Sequence, residues 1–436
     1  MFSYYFKLGV RSLRRNPALT ALMVLTLAIG VAASVSTLTI LHVMSGDPIP
    51  AKSDRLFVPM LDAGPLRGYN PAERSKDDQL TYIDTMNLLK SGQGERRTAM
   101  YAISVPIEPP RKDLRAFSAQ GMAPTRDFFA MFDVPFVHGQ PWSEADDARG
   151  ADVVVLGRHI AEKLYGDANP VGQRLNVMGS PFTVVGVIDR WAPLPRYYHL
   201  IGGEQFGEKE DLFVPLATAI RHETGHNGGM SCHSKTDPGF QGILTSDCTW
   251  LQFWFEMRSA ADRSDLQGYL DNYASEQRKL GRLKRNAPND LYNVNEWMEH
   301  RKVVGNDNKL SAWLAFGFLV LCLVNTIGLL LAKFSVRASE VGIRRALGAS
   351  RREIFRQFLT ETAVVGLAGG VLGLVLAFGA LALIAMRSSE VAAVAHMDLP
   401  MLGFTFALSV LAAMLAGLLP TWRACQVTPA IQLKSQ

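Results

Sequence analysis

Apolar residues are not spread evenly along this chain. They gather in four long blocks, one near the start and three near the end. The first, Ala18 to Val43, contains no Asp, Glu, Lys or Arg and exceeds the roughly 20 residues that cross a bilayer core. Asn16-Pro17 opens it with a proline suited to a first helical turn. The run is longer than the ~7–15 apolar residues of a cleaved signal, so it reads as an uncleaved anchor. The other blocks are Leu310 to Ala332, Thr362 to Met386 and Met401 to Leu419. Upstream of the first, Phe2, Phe6, Val10 and Leu13 recur at helical spacing among Lys7, Arg11, Arg14 and Arg15. That predicts an amphipathic helix on the membrane surface, with a plain basic flank as the alternative. In the third block Gly366, Gly370 and Gly373 fall on nearly one helix face. Small residues so placed let helices approach closely; general glycine tolerance is the alternative.

The polar stretch between the first two blocks carries a different pattern. Asp152 to Leu156 and Phe182 to Ile188 are short and β-branched, as buried strands are. Leu212 to Val214, before Pro215, reads as a further strand edge. Arg158 to Tyr165 reads as a helix ended by Gly166, and Asp262 to Leu283 as a charged helix. The glycine-rich run Asn227 to Gly242 reads as loop. The expected fold class is therefore a membrane α-helical protein with four transmembrane helices plus an α+β extracytoplasmic domain.

Charge sets the orientation. The first flank holds four basic residues and no acid, and the loop after the second block holds seven basic residues against Glu340 and Glu353. The loop after the third block has only Arg387, opposed by Glu390 and Asp398. The positive-inside rule then puts both termini in the cytoplasm. The expected plan is a surface helix at 1–17, spans at 18–44, 310–332, 361–386 and 401–420, and a large outer domain at 45–309. A cytoplasmic segment at 333–360, a short outer loop at 387–400 and a cytoplasmic tail at 421–436 complete it. The formal charge of +5 flanks apolar blocks rather than forming an aromatic-interleaved patch. It suits anionic lipid headgroups and gives no case for nucleic acid. Of the four cysteines, Cys232 and Cys248 lie in the outer domain, where an oxidising compartment favours a disulfide over two free thiols.

The loop from Ser335 to Leu359 carries the most information. Glu340 and Arg344 stand four apart, acid first, as a favourable helical pair. Gly348 is placed to end that helix, and Ser350 with Glu353 forms a capping box for the next. Two helices should meet at a sharp elbow through Leu347, Gly348, Ala349 and Ser350. Such an elbow can press into a groove on a cytoplasmic partner, or simply anchor two helices.

The run Glu340, Val341, Gly342, Ile343, Arg344, Arg345, Ala346, Leu347, Gly348, Ala349 resembles the signature of the MacB/FtsX family of ABC permeases. Asn325 and the closing set Gly417, Leu418, Pro420, Arg423, Ala424, Pro429 and Leu433 follow the same pattern. Leu164-Tyr165-Gly166, Asn169 to Gln173, Phe182 to Val187 and Leu212 to Leu216 resemble the MacB periplasmic core. The resemblance implies an inner-membrane, type VII permease without catalytic or cofactor sites of its own. Its partners would be a cytoplasmic ABC ATPase holding ATP and Mg, a second permease (identical or paralogous), and a periplasmic adaptor with an outer-membrane channel. The elbow at Gly348 would couple the ATPase to the outer domain. Efflux is the favoured activity; lipoprotein extraction and activation of a cell-wall hydrolase are alternatives within the superfamily. Trp422 stands where a small residue is more usual.

Two further motifs bear on chemistry. No G-x-x-x-x-G-K-[ST] phosphate loop occurs in the sequence, so ATP hydrolysis is expected on a separate chain. His222-Glu223-Thr224-Gly225-His226 spells H-E-x-x-H, which on a helix would bind zinc beside a general base. Gly225, Gly228 and Gly229 weaken any helix there, and a polar loop with chance histidines is the favoured reading over a membrane-anchored zinc peptidase.

Overall fold

The computed structural model describes residues 16–70, 77–111, 113–201, 205–206, 209–286 and 288–386, and eight positions from 403 to 422. The chain divides into two compact units: Met1–Gly46 with Val304–Gln436, and Asp47–Val303. Helix α1 (Pro17–Ser45) belongs to the first, and the sheet domain of the second unit follows it in the chain.

Eleven strands form the sheet among the described residues. In chain order they are β1 (Leu56–Met60), β2 (Leu80–Thr81), β3 (Arg96–Glu108), β4 (Phe117–Pro124), β5 (Phe136–Gly139), β6 (Val153–Gly157), β7 (Arg174–Val177), β8 (Ser180–Ile188), β9 (Leu212–Phe213), β10 (Thr249–Glu256) and β11 (Asp290–Asn293). The sheet order is β11-β1-β10-β3-β4-β9-β6-β8-β5, with β2 on β10 and β7 bridging β3 and β8. The Val-rich run of β6 is buried at all five positions and pairs in parallel with β8, Val154 opposite Val184. Helix α2 (Arg158–Tyr165) provides the start of that crossover, burying Ile160, Ala161 and Leu164 at i, i+1 and i+4. All eight residues of β10 are buried, and its Trp250, Phe253 and Phe255 join Tyr101, Ile103 and Val105 of β3 in one core. The edge-to-face contact of Tyr101 and Trp250, 4.8 Å between centroids, adds to their burial.

The structure corrects the expected bounds in places. Asp152, expected in β6, lies just before it, although its carbonyl still accepts from Thr183 N–H of β8 (2.9 Å). The long charged helix, α5 (Arg263–Lys279), is shorter than Asp262 to Leu283 and stops before Gly281 at φ +75°. The loop expected through Gly242 ends early, at the short helix α4 (Phe240–Thr245). Helix α3 (Leu216–Arg221) precedes that loop.

The first unit holds α1, α6 (Asn306–Val336), α7 (Ala338–Ala346) and α8 (Arg351–Ala385). Three helices among the described residues are long and apolar enough to cross a membrane: stretches Pro17–His42, Leu310–Val336 and Arg351–Leu383. Helix α8 runs unbroken from Arg351, so the last part of the segment expected at 333–360 and the span expected from 361 share one helix. The physical reason is plain: residues 351 to 365 contain no glycine or proline to break it. The surface helix expected at 1–17 lies outside the described residues except for 16 and 17, as do the loop 387–400, most of the span 401–420 and the tail 421–436 apart from Trp422. Pro420, Arg423, Ala424, Cys425, Pro429 and Leu433 are likewise outside them.

Close helix packing involves Gly373, one of the three glycines expected, together with Gly369. A Cβ added to Gly369 would lie 2.8 Å from Leu27 Cδ2, and one on Gly373 2.9 Å from Val31 Cβ. The facing pair is thus Gly369-x-x-x-Gly373 against α1, with Gly366 and Gly370 also buried. On the other flank of α1, Gly30 meets Cys322 Cβ of α6 at 2.9 Å from its own would-be Cβ.

Candidate functional site: the capped elbow between two spanning helices

The elbow is built from local signals that agree. Helix α7 ends in a paired motif: Ala349 N–H donates to the Arg344 carbonyl (3.0 Å) and Gly348 N–H to that of Arg345 (3.1 Å). Gly348 takes φ +97°, a left-handed conformation that glycine adopts without a Cβ penalty. Two residues on, Ser350 N–H donates to Glu353 Oε2 (2.9 Å), and Glu353 N–H donates to Ser350 Oγ (3.3 Å). This reciprocal box starts α8 and satisfies donors that a helix start leaves open.

Packing holds the hairpin of α6, α7 and α8 closed. Leu330, Phe334, Val341, Ile354, Phe358 and Val365 are buried together with Met23 of α1. The rings of Phe334 and Phe358 pack at 4.3 Å between centroids, tilted by 41°. Gly342 is buried on the inner side of α7. Arg344 bridges outward: it donates to Glu340 (2.6 Å) on its own helix and to Gln357 Oε1 (3.0 Å) on α8. By contrast Leu347 is 82% exposed and Ile343 61% exposed, one turn apart on the outer face.

One turn deeper along α8 sits a charge cluster. Lys333 Nζ lies 2.5 Å from Glu361 Oε1, and Arg337 Nη1 lies 3.1 Å from Glu361 Oε2. The Lys333 side chain is fully buried, that of Glu361 is 2% exposed and that of Arg337 12%. Lys333 is in the last turn of α6, Arg337 is the residue joining α6 to α7, and Glu361 is on α8. Sequence reading counted Lys333 and Arg337 as loop charges and overlooked Glu361. The available signal was an acid at the edge of an apolar block, where a carboxylate must find a cation.

A family model for the MacB-like periplasmic core domain matches residues 20–273, and one for the FtsX-like permease C-terminal region matches residues 312–429. The chain belongs to the MacB/FtsX-like permease family. Among curated relatives, the pyoverdine export ATP-binding/permease protein PvdT of Pseudomonas entomophila is 30% identical over 313 residues, covering 71% of this chain and 42% of that one. The macrolide export ATP-binding/permease protein MacB of Rhodopirellula baltica is 25% identical over 376 residues, covering 84% and 53%. The chain thus spans about half the length of the curated relatives it matches. Among solved structures, the periplasmic region of MacB from Actinobacillus actinomycetemcomitans aligns with a TM-score of 0.36 at 14% identity, over 58% of this chain and 94% of that one.

In this MacB/FtsX-like permease the other candidate residues are placed as follows. Cys232 and Cys248 are joined by a disulfide in the sheet domain. The H-E-x-x-H run does not lie on a helix: α3 stops at Arg221, and Glu223 has φ +49°. His222 Nε2 hydrogen-bonds Asp152 Oδ1 at 2.7 Å, whereas His226 pairs across backbone with Ile103 and lies beside Trp250. Burial raises the Asp152 pKa, but hydrogen bonds from His222 and Arg221 outweigh it and hold the carboxyl below its ordinary value. Burial lowers the His226 pKa. The two histidines therefore serve separate local contacts, and among the described residues no three His, Cys, Asp or Glu side chains gather as a metal site. The arrangement lacks the shared helical face that zinc-peptidase chemistry needs.

Proposed function

We propose that this chain is the permease half of an ABC-type exporter, and that a cytoplasmic ATPase docks on the α7 elbow. The observation that carries the reading is the exposed pair Ile343 and Leu347 on a turn that is capped on both sides and packed from behind. Large apolar side chains held rigidly in the open, among Arg344, Arg345, Arg351 and Arg352, form the kind of apolar centre with a charged rim that partner grooves accept. The positive-inside bias supports a cytoplasmic elbow and an outward sheet domain. In this reading ATP binding moves the elbow, α8 carries the movement across the membrane, and the sheet domain changes state to expel or hand on cargo. A second permease completes the pair, and an adaptor with an outer-membrane channel receives the cargo. Both curated relatives compared above are named for export, which favours efflux over the alternatives within the superfamily.

The test is site-specific photocrosslinking from a photoreactive residue at position 347 in native membranes. A crosslink to an ABC ATPase supports the reading. Crosslinks to lipid alone would remove its basis.

A further inference from the structure

We infer that Lys333, Arg337 and Glu361 form the joint that turns movement of the elbow into movement of α8. The inference rests on the docking reading above, but concerns transmission rather than docking. Gly348 is a natural pivot: it is in a left-handed conformation, it is exposed, and a Cβ there would meet nothing within 4 Å. Left alone, such a pivot would absorb a push on α7 instead of passing it on. Two braces bypass it. Arg344 ties α7 to Gln357, and Arg337 with Lys333 ties the end of α6 and the start of α7 to Glu361. Gln357 and Glu361 are four residues apart, one helical turn, so α7 is gripped at two successive levels of α8. The apolar cluster around Phe334 and Phe358 supplies adhesion, but such contacts can slide. A carboxylate that meets Lys333 at one oxygen and Arg337 at both is tied to cations from two points of the chain, which fixes register and direction. A buried ion cluster is seldom the best filler where only stability is needed, since apolar side chains of like volume serve as well. Ionisable groups kept in a spanning helix more often mark a working part.

The experiment uses the full chain with its ATPase in lipid nanodiscs, with an environment-sensitive fluorophore on a cysteine replacing Val375, an exposed position on α8. The readouts are recovery of ATPase on the tagged permease and the fluorescence change on adding ATP with vanadate. Glu361→Gln and the double variant Lys333→Met/Glu361→Met, in which Arg337 alone stays charged, should both recover the ATPase at wild-type yield. Both should lose at least five-fold of the ATP-driven signal. The double exchange Lys333→Glu/Glu361→Lys should restore most of it. If the Lys333→Met/Glu361→Met double folds, binds ATPase and keeps the full signal, the cluster is structural filler and the inference is overturned. If wild type recovers no ATPase, the docking reading falls, and the joint falls with it. Loss of ATPase recovery by the variants alone would show that the cluster shapes the dock instead, which also overturns the inference.

Discussion

Replacing Glu361 by glutamine should destabilise the helical unit more than any surface change. The perturbation removes one negative charge and leaves Lys333, fully buried, and Arg337, 12% exposed, without their counter-ion. At 2.5 and 3.1 Å, and an effective dielectric near 20, each pair has a gross attraction of ~5–7 kcal/mol. Desolvation of each ion opposes this by several kcal/mol, so the intact cluster contributes little net stability. Breaking it is a different matter, because the cations remain buried while their attraction is lost; the expected cost is about 3–5 kcal/mol. For a unit of this size 1 kcal/mol moves Tm by roughly 2–4 °C, so a fall of about 10 °C is expected in mild detergent, followed by circular dichroism of the helices. The double Lys333→Met/Glu361→Met should recover part of that loss, since it removes the fully buried lysine charge and leaves only Arg337, 12% exposed, uncompensated. A Glu361→Gln melt within 2 °C of wild type, or a double variant less stable than the single, would refute the reasoning.

Other outcomes follow from the same geometry. Gly348→Ala should cost about 1–2 kcal/mol through its left-handed backbone alone, since no neighbour would touch the new methyl; chemical denaturation of the purified chain measures it. Gly373→Leu should weaken packing of α8 on α1 by roughly 1–3 kcal/mol, whereas Gly379→Ala, where a Cβ meets nothing within 4 Å, should be neutral or stabilising in the same melts. His199 is 5% exposed, and burial, with the nearby Arg196 charge, lowers its pKa to about 4 from 6.5. Its protonation therefore favours the unfolded chain: its contribution is complete above pH 6.5 and is lost as pH falls through 4. Up to about 3 kcal/mol should disappear over that window, and His199→Gln should flatten the stability-against-pH curve there.

The elbow was legible in the sequence because its signals are local. Acid-first Glu340 and Arg344, a glycine after the helix and Ser350 three residues before Glu353 each act within one turn, and each needs nothing from the rest of the chain. Strand β8 and helix α2 were readable for the same reason: β-branched runs and a terminal glycine declare themselves. What was missed depends on distance along the chain. Glu361 meets Arg337 across 24 residues and a turn, so its role is invisible until α6 and α8 lie side by side. Gly373 packs against α1, but its companion on that side is Gly369, which periodicity within one helix does not single out. The H-E-x-x-H run shows the reverse case: a motif written in the right letters, but set where α3 has already ended, so the letters never share a face.

The central claim is that the elbow is a dock. Its most direct test is affinity purification of the tagged chain from native membranes, wild type beside Leu347→Glu, with mass spectrometry of what accompanies each. Leu347 is 82% exposed and makes no packing contribution that glutamate would spoil, so folding should be unchanged. An ABC ATPase should accompany the wild type, and at least ten-fold less of it the variant. Equal ATPase recovery from both, or none from the wild type, would contradict it.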